Sequence, residues 1–381
     1  MSSSANARVA SIDVMRGLVM MIMMIDHVRE TFFLRWQVSD PMNVADIDPA
    51  LFFSRFAAHF CAPMFVFLTG LSAWLYAHPT AGPRSATGFL IKRGLFLVAL
   101  EIFVVSVAWT GSVPPTTIYL QVIWVIGLAM IALGLLHRLP RGLLLALGLT
   151  IVFGHNLLTP ISFAPGDWGY IPWTILHDRG FLVAEGGLKI KVSYPLLPWI
   201  GVIVLGYVAG PWYARVVGPQ YRRKLLACSG AAALTLLLLL RGFNLYGETL
   251  PWEQGATALR TTMSFLNVTK YPPSLAFLLL TLGVGLLVLA WLERRDNSFL
   301  RICASFGGAP MFYYLLHLYI LLLLKTAANA WLARDYGGHY EFDHLWMVWL
   351  MSAVLVPLLY FPCRAFGRFK RRTTMAWVRY L

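Results

Sequence analysis

The stretch PSLAFLLLTLGVGLLVLAWL, residues 273–292, runs for twenty positions without an Asp, Glu, Lys or Arg. Twenty apolar residues wound into an α-helix cover about 30 Å, the thickness of a bilayer's hydrocarbon core. Working outward from it, similar stretches occur at 16–36, 51–77, 88–110, 116–136, 141–158, 195–214, 225–241, 302–325 and 345–363. They take up most of the 381 residues, of which 59% are hydrophobic and only 13% charged. A soluble domain is nearer a quarter charged. Closed barrels also span membranes, but unbroken runs such as Leu236–Leu240 lack their two-residue alternation. The reading is an all-α, polytopic transmembrane helix bundle of about ten spans. It forms a single domain over 1–381, with spans from about 16 to 363 and a basic tail at 364–381.

Basic residues give the orientation, because short cytoplasmic segments are enriched in Lys and Arg. With the N-terminus, residues 78–93, 137–141, 215–224 and 293–301, and the tail on one side, that side holds 20 of the 31 Lys+Arg residues. Only Asp13, Glu293 and Asp296 offset them there. Both termini are therefore expected in the cytoplasm, and the net charge of +14 reads as topology, not as nucleic-acid binding. The polar head before Arg16, and the charges within the first span, do not fit a cleaved signal peptide.

Cys61, Cys228, Cys303 and Cys363 lie in or beside spans with no CxxC pair, so they read as small apolar side chains. Two outer connections are long, at about 159–194 and 242–272, a length typical of functional lids or mobile segments. Trp168, Trp173, Trp199 and Trp252 suit anchors at the membrane interface. Gly201, Gly206 and Gly210 suit close helix packing, within the chain or in a homo-oligomer.

Ionisable groups inside spans are costly and mark function. The first span concentrates Asp13, Arg16, Asp26, His27, Arg29 and Glu30. Arg16 and His27 share a helix face and lie about 16 Å apart along the axis, Arg16 at the cytoplasmic mouth and His27 near the midplane. The second span aligns Arg55, His59 and Pro63 at four-residue intervals. The ninth, rising through Gly307-Gly-Ala-Pro310 and Tyr313, carries His317 about 22 Å from its inner end. Three histidines thus reach similar depths. Asp26 and Arg55 suit an interior ion pair, and Glu101 needs a partner such as Arg16 or Arg93. The segments Lys270–Ser274 and Ser193–Trp199 open two helices, whose free amides attract developing negative charge. A zinc site from His27, His59 and His317 is disfavoured by the long ligand spacing, so no metal is expected. No Walker A motif, serine-hydrolase elbow or dinucleotide fingerprint is present.

Several segments carry a resemblance. They are Arg8-Val-Ala-Ser-Ile-Asp13-Val-Met-Arg16-Gly17 with the run ending in Asp26-His27, the segment His59–Gly70, Tyr194–Gly201, Lys270-Tyr-Pro-Pro-Ser-Leu275, and Gly308–His317. Together they resemble the bacterial relatives of the heparan-α-glucosaminide N-acetyltransferase catalytic domain, a family of integral membrane acyltransferases. The resemblance implies an acyl donor bound from the cytoplasm and an acceptor sugar on the other side. His27 falls where related O-acyltransferases place an essential first-span histidine. The lysosomal enzyme's histidine belongs to the following loop, and residues 37–50 here contain none.

The expected function is transfer of an acyl group, acetyl first, from cytoplasmic acyl-CoA to a hydroxyl or amine of an extracytoplasmic glycan. His27, oriented by Asp26, is the candidate general base, or alternatively carries the acyl group itself. His59 and His317 complete the catalytic set. Arg55, Lys270 and Tyr313 are candidates for acceptor binding or the oxyanion. Arg16, Lys92 and Arg93 are candidates for the CoA phosphates. Partners are membrane lipid, acyl-CoA and the glycan, and the location is the bacterial inner membrane, multi-pass. The alternative is a proton-coupled transporter using Asp26, Glu101 and His27.

Overall fold

A computed structural model describes residues 10–36, 38–80, 82–332, 337–375 and 377–380, without the Arg379 side chain. Arg8, at the head of the first resembling segment, lies outside the described residues. Helix α1 (Ala10–Phe32) is followed by α2 (Pro49–Ala57) and α3 (Cys61–Ala77), joined by a 3₁₀ turn at Ala58–Phe60. Pro63 has no N–H to offer the His59 carbonyl, which favours the tighter turn there. Next come α4 (Thr87–Leu100), a π turn at Glu101–Val105, and α5 (Ser106–Thr110). Strand β1 (Thr117–Leu120) leads into α6 (Val122–Leu136), α7 (Arg141–Gly154) and α8 (Tyr170–Leu176). Strands β2 (Gly180–Val183) and β3 (Lys189–Val192) precede α9 (Leu197–Ala209) and α10 (Pro219–Gly242). The remainder is α11 (Ala258–Leu266), α12 (Leu275–Leu292), α13 (Ser298–Gly307), α14 (Pro310–Trp331) and α15 (Leu345–Arg372).

Among the described residues six helices are long and apolar enough to cross a membrane: Pro49–Ala77, Arg141–Leu158, α10, α12, α14 and α15. Val122–Leu136 and Leu197–Tyr213 are shorter apolar helices. Helix α1 has 23 residues, and its ionisable groups set it apart. The chain is an integral, multi-pass helical membrane protein. It packs as two units, one of Ser11–Cys61, Trp252–Val268 and the described residues from Arg295 onward, the other chiefly of Ala62–Pro251 and Thr269–Arg294.

In the first unit α1 and α13 cross backbone to backbone. A Cβ on Gly17 would lie 1.9 Å from the Cys303 carbonyl oxygen, and one on Gly307 would lie 1.8 Å from that of Asp13. Only glycine permits that approach, which gives the Arg16-Gly17 pair a packing reason. The ninth predicted span is not one helix. It breaks at Gly308-Ala309, because Pro310 cannot continue the ladder of α13 and instead starts α14. His317 is therefore seven residues into α14, about 10 Å along its axis, instead of 22 Å into a continuous span.

The second unit departs from expectation in three places. The fourth predicted span opens with a strand, since Thr117-Ile-Tyr119 combines β-branched and aromatic residues after Pro114-Pro115. Its partners come from the first long connection: β1 pairs parallel with β3, which pairs antiparallel with β2. Among the described residues no arginine pairs with Glu101. Its Oε2 accepts the Trp124 N–H at 2.9 Å, at the start of α6, where unsatisfied amides attract a carboxylate. Trp199 is fully buried and not an interface anchor. Gly206 lies against the Phe67 carbonyl, Gly201 against Val152 and Gly210 against Trp74, so all three glycines serve packing within the chain.

Candidate active site

Helix α1 sets an ionised cluster and an imidazole on consecutive residues. Asp26 is buried, and its Oδ1 accepts Arg29 Nη2 at 2.9 Å and Nε at 3.2 Å. Its Oδ2 accepts Arg55 Nη1, from α2, at 2.9 Å. Glu30 accepts a further Arg29 hydrogen bond at 3.2 Å. Two carboxylates and two guanidiniums balance, as buried charge requires. The Asp26–Arg55 ion pair read from the sequence is formed.

The neighbouring His27 ring stacks on His317 of α14, with centroids 4.9 Å apart and planes at 13°. His27 Nδ1 lies 2.6 Å from His317 Nε2, and His317 Nδ1 lies 2.8 Å from the Tyr313 carbonyl oxygen. The carbonyl can only accept, so His317 Nδ1 carries the hydrogen. With both rings neutral, His317 Nε2 then accepts from His27 Nδ1–H, and the His27 lone pair sits on Nε2. His317 is fully buried and His27 half-buried. The partner of His27 Nδ1 is thus His317, whereas Asp26 is held by two arginines. Tyr313 supports the arrangement from behind: its ring packs on His317 at 5.1 Å, and its hydroxyl donates to the Met20 carbonyl at 3.2 Å. That bond ties α14 to α1. Tyr314 meets both imidazoles edge-on.

With both rings neutral, the half-buried His27 ring thus donates through Nδ1 and keeps a lone pair on Nε2. Residues 8–241, well over half of the chain, match the family described as heparan-alpha-glucosaminide N-acetyltransferase, catalytic. The chain belongs to this family. It is a membrane acyltransferase, drawing on acyl-CoA and acting on an extracytoplasmic glycan acceptor. The transporter reading gives way to this assignment. No curated protein matches the chain. The matched range contains Asp26, His27, Arg55 and His59 and stops before Lys270, Tyr313 and His317.

The other candidates of this family member fall as follows. His59 is buried in the 3₁₀ turn between α2 and α3, with the Phe56 ring 5.8 Å away. Arg16 is half-buried and pairs with Asp13 at 3.3 Å. In the other unit Lys92 is exposed, and the Arg93 guanidinium lies 5.9 Å from the Phe89 ring. Lys270 is buried in a turn bridged to Pro273. Next to it the Tyr271 hydroxyl donates to the Tyr194 hydroxyl at 3.1 Å, so the two helix-opening segments do meet. The first amides of α12 are nevertheless taken. Leu275 N–H binds Asn156 Oδ1 at 2.8 Å, Ala276 N–H the Gly247 carbonyl at 2.9 Å, and Phe277 N–H the Ser274 hydroxyl at 3.0 Å. That start therefore has no amide left for an oxyanion, contrary to expectation. Among the described residues, no group of three or more His, Cys, Asp or Glu side chains is placed to hold a metal ion.

Sequence reasoning missed Glu248, which accepts from Thr269 N–H at 2.9 Å and from the Ser274 hydroxyl at 2.7 Å, and so shapes the Lys270 turn. It also missed Glu341, buried beside α1, which accepts the Arg35 N–H at 2.8 Å. Each is a single carboxylate in a connecting segment, with no spacing to mark it.

Proposed function

We propose that His27 is the general base of the acyl transfer, with His317 and Tyr313 as positioning residues that fix its tautomer. The hydrogen-bonded sequence His27 Nδ1, His317 Nε2, His317 Nδ1, Tyr313 carbonyl is the observation that supports this. The acceptor's hydroxyl or amine gives its proton to His27 Nε2 as its lone pair attacks the thioester carbonyl. The tetrahedral oxyanion then collapses, the C–S bond breaks, and the imidazolium returns the proton to the CoA thiolate. Acetyl-CoA is the proposed donor. The sequence supports His59 and Lys270 for the oxyanion, and Arg16, Lys92 and Arg93 for the CoA phosphates.

The proposed topology has ten crossings in one acyltransferase domain of the bacterial inner membrane, with both termini cytoplasmic. The crossings are α1, α2 with α3, α4 with α5, α6, α7, α9, α10, α12, α13 with α14, and α15. The bias of 20 of 31 basic residues to one side supports that orientation.

CoA release from acetyl-CoA by the purified enzyme in proteoliposomes tests the assignment. His27→Ala is expected to lower it by about 10²-fold or more while the protein stays monodisperse. Full activity in that variant would remove His27 from the mechanism.

A further inference from the structure

A cleft of about 680 Å³ opens where α1 ends, in the unit that holds His27. This is the size of small-molecule sites. Its walls come from three places: Phe33 and Trp36 after α1, the segment from Asn43 to Leu51, and the head of α15. Three indoles, Trp36, Trp346 and Trp349, line it with relative exposures of 55%, 54% and 42%. The carboxylates of Asp46, Asp48 and Asp343 line it too.

The cleft's frame is braced. Asn267 exchanges hydrogen bonds with the Met42 backbone at 2.9 and 2.7 Å. Arg260 donates to the Val44 and Ile47 carbonyls at 2.6 and 2.7 Å. Phe342 N–H binds the Phe32 carbonyl at 2.7 Å, and their rings stack. Trp349 Nε1 donates to the Ser54 hydroxyl at 2.9 Å, which fixes that indole.

Indoles and carboxylates lining one cleft match one ligand chemistry. The flat C–H faces of a pyranose pack on tryptophan, and its hydroxyls donate to carboxylates. Asp48 Oδ1 caps α2 and Asp46 Oδ2 takes the Asn43 amide, while Arg35 offsets Asp343 at 3.4 Å. His344 is the other titratable group on the wall. The balance of charge is negative, which opposes an anionic ligand. Exposed tryptophans also anchor proteins at lipid headgroups, but three carboxylates among them disfavour phosphates.

We propose that this cleft is the acceptor-glycan subsite, and that it takes neutral or amino sugars and rejects sugars bearing carboxylate or sulfate. The proposal rests on the acyltransferase reading and locates its acceptor. Phe33 follows His27 by six residues, about 9 Å along the helix axis. The cleft therefore lies at the end of α1 whose last turns carry His27.

The test is calorimetric titration of the full-length protein in nanodiscs, without acyl-CoA, using three disaccharides: diglucosamine, di-N-acetylglucosamine and a sulfated glucuronate-containing disaccharide. The first two are expected to bind, and the third at least about tenfold more weakly. Trp36→Ala should weaken the binders about tenfold, with Trp36→Phe in between. Asp46→Asn should narrow the gap to the acidic sugar. Equal binding of all three, no binding, or indifference to Trp36→Ala would overturn the subsite. So would quenching by headgroup-labelled lipid that is lost in Trp36→Phe, which assigns the indoles to the membrane surface. Since no donor is present, failure of the His27 chemistry leaves these titrations unchanged, and the two readings fail separately.

Discussion

Asp26 and Glu248 each organise a polar cluster, one in each unit of the molecule, with different partners. Asp26 is held by two guanidiniums and is buried with them. Glu248 is half-buried and accepts from the Thr269 amide and hydroxyl and the Ser274 hydroxyl, with the buried Arg241 guanidinium near enough to feel its charge. The first cluster is an ionic lock beside a histidine pair that can exchange a proton. The second is a hydrogen-bonded brace around a turn. A lock of direct ion pairs fixes a helix face strongly but leaves stranded charge if one member goes, whereas a brace built mainly of hydrogen bonds from amides and hydroxyls loosens by degrees.

The largest effect expected from this difference is at the lock. Asp26→Ala leaves Arg29 and Arg55 buried without their carboxylate, and loss of one member of a buried ion pair costs about 3–5 kcal/mol. Thermal or chemical unfolding in detergent should show it. Asp26→Ala combined with Arg29→Met and Arg55→Met should recover most of the loss, because the charge left over is that of Glu30, which is exposed enough to be solvated. If the single variant unfolds like the wild type, the ionic account of this region is wrong.

Next in size is the histidine pair. His317→Phe removes the acceptor for His27 Nδ1–H and so frees the tautomer. We expect kcat to fall by on the order of 10²-fold, about 2.7 kcal/mol in the barrier. His317→Gln, which restores an acceptor, should recover part of this, and KM for acetyl-CoA should stay put in both. A large KM change with kcat preserved would make His317 a binding residue instead of a positioning one.

Much of this was legible in the chain, for identifiable reasons. Spans are written in runs such as 275–292, because lipid leaves backbone groups no partner but the helix itself. The Asp26–Arg55 pair was legible because buried charge must find its opposite. Contact between His27 and His317 was not, since they are 290 residues apart and depth alone does not fix which faces meet. Glu101 misled because side chains were sought as partners, while backbone amides at the start of α6 do the same task. The strand β1 hid inside an apolar run where strand and helix patterns coincide. Trp346 and Trp349 stand three apart at the head of the last span, a signal present in the sequence but indistinguishable there from interface anchors.

The smallest effect belongs to the hydrogen-bonded brace, and it tests whether the two clusters differ in kind. Glu248→Gln keeps one acceptor oxygen and loses the other, so roughly 1–2 kcal/mol of local stability should go. Hydrogen exchange resolves this. The amides of Thr269 and Ser274 are expected to exchange about tenfold faster. The Ser274 amide serves as an internal gauge, because it binds the Thr269 carbonyl at 2.9 Å and reports the turn instead of the carboxylate. Amides of α1 around Asp26 should not change, since the two clusters belong to separate units. Collapse of the whole protein on this one substitution would mean that Glu248 acts as a lock like Asp26, its charge held by the nearby Arg241, and the contrast between ion-paired and hydrogen-bonded organisation would not hold.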